Sequence, residues 1–411
     1  MHGNPNLERG EQLYSMGRFS DAIPFLKDAM VVEEDRFDAQ YLLAYSYFQV
    51  DHISEAEKIG HELRKQQPNH SGILSLLANI ELNKNNSDQA LKLIDEAISI
   101  TPYEDDYFGI KSYVYIQKKD FKTALKFAND GLSIYAKSLI CLNARATALT
   151  KLGKKEEAAL TIESILQDNP ENSYSHANTG WSFLEANNIP KALEHFKEAL
   201  KIDPNDDYTR DGMLTAIKAK NKIYNLYLRY AFWIGNKSDK YQWGFIIGIY
   251  VIYRFALKAI SASGLSVLAV PLIIIYLLFA LGSWLMEPLS NMLLLMDSYG
   301  KYLLDRNSKL SGQILLTLLV VSLASYGINF VVDSDLPILL SIGCLASILP
   351  LTRASLSSHN QSRILGFSYG GLILLISILG QPLGYSFGSV TLALVVLFVA
   401  FTWLGNFIIK Y

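Results

Sequence analysis

The sequence predicts an all-α chain in two parts: a right-handed helix-turn-helix solenoid, then a polytopic six-helix transmembrane domain. Two observations predict this. First, a small residue recurs at Ala22, Ala56, Ala90, Ala124, Ala158 and Ala192, each 34 positions after the last, and a long constant period marks stacked repeats. Second, charge is unevenly spread. Residues 1–240 hold 29 of the 37 Lys and Arg and 34 of the 39 Asp and Glu, whereas the last 171 residues hold 8 and 5. The first part reads as soluble and the second as membrane. A net charge of −2 with no basic stripe gives nucleic acid no footing.

Each 34-residue unit carries further anchors. Twelve positions before the aligned alanine sit Gly10, Ala44, Ala78, Ser112, Ala146 and Gly180, and seven after it sit Ala29, Leu63, Ala97, Gly131, Ile165 and Ala199. Twelve after it come Pro68, Pro102, Pro170 and Pro204, with Glu34 and Ala136 in the remaining units. Two amphipathic helices per unit explain the pattern. The small residues let paired helices approach, while Leu43, Leu77, Ile94, Phe183 and Phe196 fill the space between them. Proline lacks the donor that the second helix would need to continue. A single unit cannot bury its apolar face, so six must stack.

This period with small–small–proline anchors resembles the tetratricopeptide repeat (TPR), six in tandem over about residues 3–206. The resemblance implies a protein-binding scaffold and no chemistry. It also implies that the first helix of each unit lines a concave face, placing there Tyr14, Tyr41, Tyr45, Phe48, Asn79, Tyr113, Asn143, Thr147, Tyr174 and Trp181. An aromatic groove interleaved with Asn and Thr suits an extended peptide or a partner helix. The Lys/Asn/Arg carboxylate clamp of chaperone-binding family members is not matched, since Ser75 stands four residues before Asn79 where such a clamp wants Lys.

Residues 207–240 read as one long helix that covers the last repeat and then turns basic and aromatic. Between Lys218 and Lys240 lie six Lys or Arg and one acid, among Tyr224, Tyr227, Tyr230, Phe232 and Trp233. Such a segment suits anionic headgroups at a membrane surface. Six spans follow at about 241–260, 265–286, 313–332, 336–351, 364–379 and 390–409, the fourth and fifth short. An amphipathic helix lying on the inner face is expected over about 288–306. If the spans alternate, Lys301, Arg306, Lys309, Arg353, Arg363 and Lys410 share the side of residues 218–240, so both termini are expected in the cytoplasm. Arg254 and Lys258 lie toward the other side. They are either snorkelling cations or an intramembrane site that binds an anionic lipid head or the acids of "VVDSD".

Chemistry finds no place. "GFSYG" at 366–370 fits G-x-S-x-G, but it opens a membrane helix rather than a strand-to-helix turn. Gly366, Gly370 and Gly371 read instead as close helix packing. No metal-ligand spacing, cofactor motif or catalytic set is visible, and Cys141 and Cys344 read as free thiols in a reducing compartment. No apolar core segment marks the first residues as a signal peptide, and the compact loops suggest a bacterial inner membrane. The leading expectation is a membrane-anchored scaffold that recruits a protein partner to the cytoplasmic face, with another membrane protein as a further partner for the spans. The alternative is a lipid or small-solute permease, or a lipid-handling subunit, with the solenoid as its docking arm. A lack of buried polar residues in the spans counts against that alternative.

Overall fold

The computed structural model describes residues 4–31, 36–263, 266–296, 301 and 304–408. The described residues are helical throughout and fall into two compact units, Met1–Ala216 with Phe232–Ser238, and Ile217–Ala231 with Asp239–Tyr411.

The first unit is a stack of helix pairs. They are α1 (Pro5–Ser15) and α2 (Phe19–Ala29), α3 (Arg36–Gln49) and α4 (Ile53–Gln66), and α5 (Ser71–Asn83) and α6 (Ser87–Ile100). There follow α7 (Asp105–Gln117) and α8 (Phe121–Ile134), α9 (Leu139–Lys151) and α10 (Lys155–Asp168), and α11 (Ser173–Glu185) and α12 (Ile189–Ile202). The turn inside every pair closes alike. One residue takes a left-handed backbone, and these residues are Gly17, Asp51, Asn85, Lys119, Gly153 and Asn187, again 34 apart, with φ between 61° and 74°. The next amide then donates to the carbonyl five residues back, as from Arg18 to Leu13 and from Asp120 to Tyr115, both at 2.9 Å. This is the Schellman closure of a helix, which satisfies carbonyls the last turn would leave bare.

The second helix of each pair ends on an extended residue. Gln67, Thr101, Asn169 and Asp203 precede the prolines and have φ between −128° and −137°. Tyr135 has the same conformation (φ −136°, ψ 105°) although Ala136 follows it. The fourth unit therefore ends in register without a proline. The aligned alanines are fully or nearly fully buried, and a continuous apolar core runs from Leu13 through Leu43, Leu77 and Ile94 to Ile110. Gly180 has no room for a side chain, since a Cβ there would lie 2.7 Å from Phe196.

The anticipated single helix over 207–240 is in fact interrupted. Helix α13 (Asp207–Lys218) is followed by α14 (Lys222–Gly235), and α15 begins at Asp239. Gly212 and Tyr208 of α13 lie on Phe196 and Trp181, so α13 covers the last pair. Asn236, just beyond α14, donates to Glu185, which also pairs with Lys151 at 2.6 Å.

The second unit contains α15 (Asp239–Ala262), a 3₁₀ turn (Ser266–Leu268), α16 (Ala269–Ala280) and α17 (Gly282–Met296). It continues with α18 (Arg306–Ile328), α19 (Leu336–Leu356), α20 (Asn360–Leu379) and α21 (Phe387–Ile408). Among the described residues, five helices are long and apolar enough to cross a membrane: residues 240–262, 306–328, 336–356, 360–379 and 387–405. Helix α19 is the centre of the bundle and packs on α18, α20 and α21.

Several expectations change. The predicted second span, 265–286, breaks at Leu281, which caps α16 before α17 starts at Gly282. Neither half alone reaches the roughly 20 residues that a bilayer requires. Hydropathy averages across such a break and cannot register it. The fourth and fifth spans are not short: they extend to 21 and 20 residues, because α19 carries Pro350 and Arg353 inside the helix and α20 already begins at Asn360. The 288–306 helix is replaced by α17, which ends at Met296, and residues 297–300 and 302–303 lie outside the described residues, as does Lys410.

Candidate functional site

Helices α3, α5, α7 and α9 are the first helices of successive units, and together they line a cavity of about 410 Å³. Tyr41, Tyr45, Phe48 and Gln49 come from α3, Gly72, Ser75 and Asn79 from α5, Tyr107 and Ile110 from α7, and Ile140 from α9. Glu104 and Asp106, at the start of α7, complete the lining. The space exists because α5, in the middle, presents small residues. A Cβ on Gly72 would stand 2.5 Å from the Tyr41 hydroxyl. The rings of Tyr14, Tyr41 and Tyr45 meet edge to face, with centroids 6.3 Å (Tyr14–Tyr45) and 5.8 Å (Tyr41–Tyr45) apart. Burial pushes the Tyr41 phenol up to about 12, helped by Tyr107, Tyr14 and Glu104, and the Tyr45 phenol higher still. Both stay neutral at physiological pH. Asp106 has one edge open to solvent, yet burial of the other raises its carboxyl above the ordinary value, and Asp105 and Glu104 add to the rise.

The remaining anticipated groove residues behave differently. The Tyr174 hydroxyl donates to that of Tyr113 at 3.0 Å, a link from α11 to α7 across the intervening α9. Tyr208 then stacks on Tyr174 (6.4 Å) and lies against Trp181 (5.7 Å). Asn143 is 1% exposed, which corrects its assignment as a peptide contact. Its amide donates to Leu139 O (3.0 Å) and Ser175 Oγ (3.2 Å), while its own oxygens accept from Asn178. Thr147 closes the network through Asn178 at 3.2 Å. Every member is satisfied, so this polar patch binds α9 to α11 instead of offering itself outward.

The cavity therefore gathers Tyr41, Tyr45, Phe48 and Asn79, with Tyr14 behind Tyr45. Sequence reading missed Glu104, Asp106, Tyr107, Gly72 and Ser75. For three of these a signal existed: Asp106 and Gly72 lie two and three periods before Tyr174, and Ser75 one period after Tyr41, so each shares the register of a residue already placed on the inner face.

In the second unit Arg254 and Lys258 are exposed on α15, and no carboxylate among the described residues pairs with either. The acids of "VVDSD" are not their partners, and Asp335 accepts instead from Gln381 at 3.2 Å. Lys218 is buried, and Tyr230 packs on Phe245 (6.4 Å) and Phe279 (6.0 Å). Part of the basic-aromatic segment thus faces protein. Gly366 and Gly370 are buried, but nothing approaches within 4 Å of a Cβ on Gly371, so it makes no close packing contact. Polar burial is not lacking either. Ser347, Thr352 and Ser355 are fully buried on α19, Arg353 is 5% exposed over Trp284, and Asn291 is fully buried. Each of the three hydroxyls bonds a carbonyl within its own helix, whereas the Asn291 amide has no partner among the described residues.

Comparison with known proteins agrees with the array. Residues 13–80 and 143–207 match models of the tetratricopeptide repeat. The helical array belongs to the tetratricopeptide repeat family. A TPR repeat-containing protein of Methanocaldococcus jannaschii is 21% identical over 272 residues, covering 60% of this chain and 48% of that protein. Hsp70-Hsp90 organizing protein 1 of Glycine max is 25% identical over 138 residues, 34% of this chain and 24% of that protein. The chain thus spans about half or less of the length of these curated relatives. Among solved structures, a TPR protein of Parabacteroides merdae superposes with a TM-score of 0.44 at 15% identity, over 52% of this chain and 86% of the other.

Proposed function

We propose that this TPR protein is a membrane-anchored scaffold whose concave face holds a segment of a protein partner. The observation that carries the reading is the open cavity on the inner helices α3, α5, α7 and α9, where aromatic rings and unfilled polar groups meet. TPR arrays are protein-interaction scaffolds, and rigid Tyr and Phe rings supply contact area at low entropy cost. The five apolar helices of the same chain supply the anchor. In this reading the array lies on the cytoplasmic side of a bacterial inner membrane, and Lys220, Lys222 and Arg229 face anionic headgroups. Glu104 and Asp106 make the cavity acidic, so an acidic tail ending in a carboxylate is a poor occupant. The protein then works by holding and not by catalysing.

The test is capture from native membranes with the full chain and two variants. Tyr41→Ala with Phe48→Ala removes the aromatic walls, and Ser75→Leu fills the space while keeping the rings and the charges. A partner held by the parent and lost from both variants, with melting curves unchanged, supports the reading. Equal recovery by all three overturns it.

One observation favours a second reading, in which the helical bundle itself handles lipid or a small solute. An apolar cavity of about 300 Å³ lies among Leu277, Leu281, Leu285, Ile342, Leu349 and Phe398, and the same unit buries the unpartnered Asn291. A transport or lipid phenotype that persists in both cavity variants would favour this reading.

A further inference from the structure

We infer that the cavity on α3, α5 and α7 receives the positively charged side chain of its partner polypeptide, an arginine or a lysine. This rests on the scaffold reading and narrows it to a ligand chemistry.

The cavity lining carries acids and no base. Two carboxylates, Glu104 and Asp106, face it, and none of its lining residues is basic. Ser75 lines it while only 3% exposed, and its hydroxyl has no hydrogen-bond partner among the described residues. The Asn79 amide nitrogen is held back by Ser75 O at 3.2 Å, which leaves Oδ1 as an unpaired acceptor. Ammonium and guanidinium groups are donor-only cations. Tyr41, Tyr45, Phe48 and Tyr107 surround these acceptors with ring surface, and ring faces attract cations.

Several carboxylates of the array are paired between neighbouring units: Glu96 with Arg64 at 3.0 Å, Asp95 with Lys111 at 2.6 Å, Asp88 with Lys118 at 2.5 Å and Glu185 with Lys151 at 2.6 Å. Glu104 and Asp106 have no such partner among the described residues. A favourable interaction with the α7 dipole would explain acids in a first turn. It does not explain why Glu104, the N-cap residue, makes no capping bond, nor why Ser75 and the rings open onto the same space. The raised Asp106 carboxyl fits a site that lacks its counter-charge. A metal ion is a poor occupant, since no group of three His, Cys, Asp or Glu is clustered among the described residues.

The test uses the full chain in detergent and a set of fluorescent nonapeptides with one apolar frame and blocked ends. The central residue is Arg, citrulline, Lys or acetyl-lysine, so each pair differs in charge at nearly constant shape. The Arg and Lys peptides should bind about tenfold more tightly than their neutral counterparts, the range of one charge-assisted contact. Glu104→Gln with Asp106→Asn should erase the difference between the charged and neutral peptides, with helicity unchanged. Citrulline binding as tightly as Arg, no peptide binding, or an Arg preference that survives the double variant would each overturn the inference. Membrane capture separates this failure from that of the scaffold. A native partner lost on Tyr41→Ala with Phe48→Ala but kept by the double carboxamide variant would sink the cation and leave the scaffold standing.

Discussion

The two ends of the row of first helices use the same residue types to opposite ends. Toward the N-terminus, Tyr41, Tyr45 and Phe48 look across the small side chains of α5 onto open space. Toward the C-terminus, Tyr113 and Tyr174 bond hydroxyl to hydroxyl and Tyr208 lies against Tyr174 and Trp181, so these rings hold one another although Tyr174 and Tyr208 stay 48% and 44% exposed. Beneath that link, Asn143, Thr147 and Asn178 satisfy one another. What decides the outcome is the middle helix of each three. On α5 two register positions are the small Gly72 and Ser75, whereas on α9 they are Ile140 and the buried, fully bonded Asn143. An inward aromatic is therefore a binding group only where its neighbours leave part of its surface facing open space.

The comparison predicts that changes at the closed end alter stability and changes at the open end alter binding. The largest effect belongs to Phe196, which is fully buried between Gly180 and Gly212 and meets Trp181 edge to face at 5.6 Å. Phe196→Ala should cost about 3–5 kcal/mol, the usual loss for a buried Phe, and a melting curve of the full chain reads it. The folded fraction should still bind at the open end. A stable Phe196→Ala variant would mean that the closed end is not packed as a core.

Asn143→Ala should come next, at about 1–3 kcal/mol, because Asn178 and Ser175 lose buried partners. If this variant instead kept its stability and lost a partner, Asn143 would be a binding residue after all and the contrast between the two ends would fail.

How far the sequence showed this contrast can be traced through register. The positions of Tyr45, Asn79, Tyr113, Thr147 and Trp181 are 34 apart, and the period alone puts them on one face. The left-handed closures were as regular, and Gly17, Gly153, Asn85 and Asn187 are residue types that favour a positive φ, whereas Lys119 gives no such signal. The register of Tyr174 runs back through Ile140, Asp106 and Gly72, all three in the cavity lining. Those residues differ so much in character that no residue-type signal links them. Whether a ring is open or closed depends on side chains two units away, as with Tyr113 and Tyr174, and helical period carries no such information. In the apolar half the break at Leu281 escaped for a related reason: an unbroken hydrophobic run can still contain two helices.

The smallest effect is the most discriminating, because its sign differs between the two properties. The Asp106 carboxyl is raised by burial and by Asp105 and Glu104. A carboxyl whose folded pKa exceeds its unfolded one favours folding below the unfolded value, and that contribution is lost as pH rises through the folded value. At neutral pH the charged form of Asp106 therefore opposes folding. Asp106→Asn should raise the melting temperature slightly at pH 7, and the gain should fade as pH falls through the acid range. The same substitution should weaken the Arg nonapeptide, since a bound cation draws on the charge that burdens the empty site. Binding by the parent should likewise strengthen as pH rises through that range. A variant both more stable and weaker in binding marks Asp106 as held for a ligand. One less stable at pH 7 would make it an ordinary helix-end acid and return the open end to simple aromatic contact.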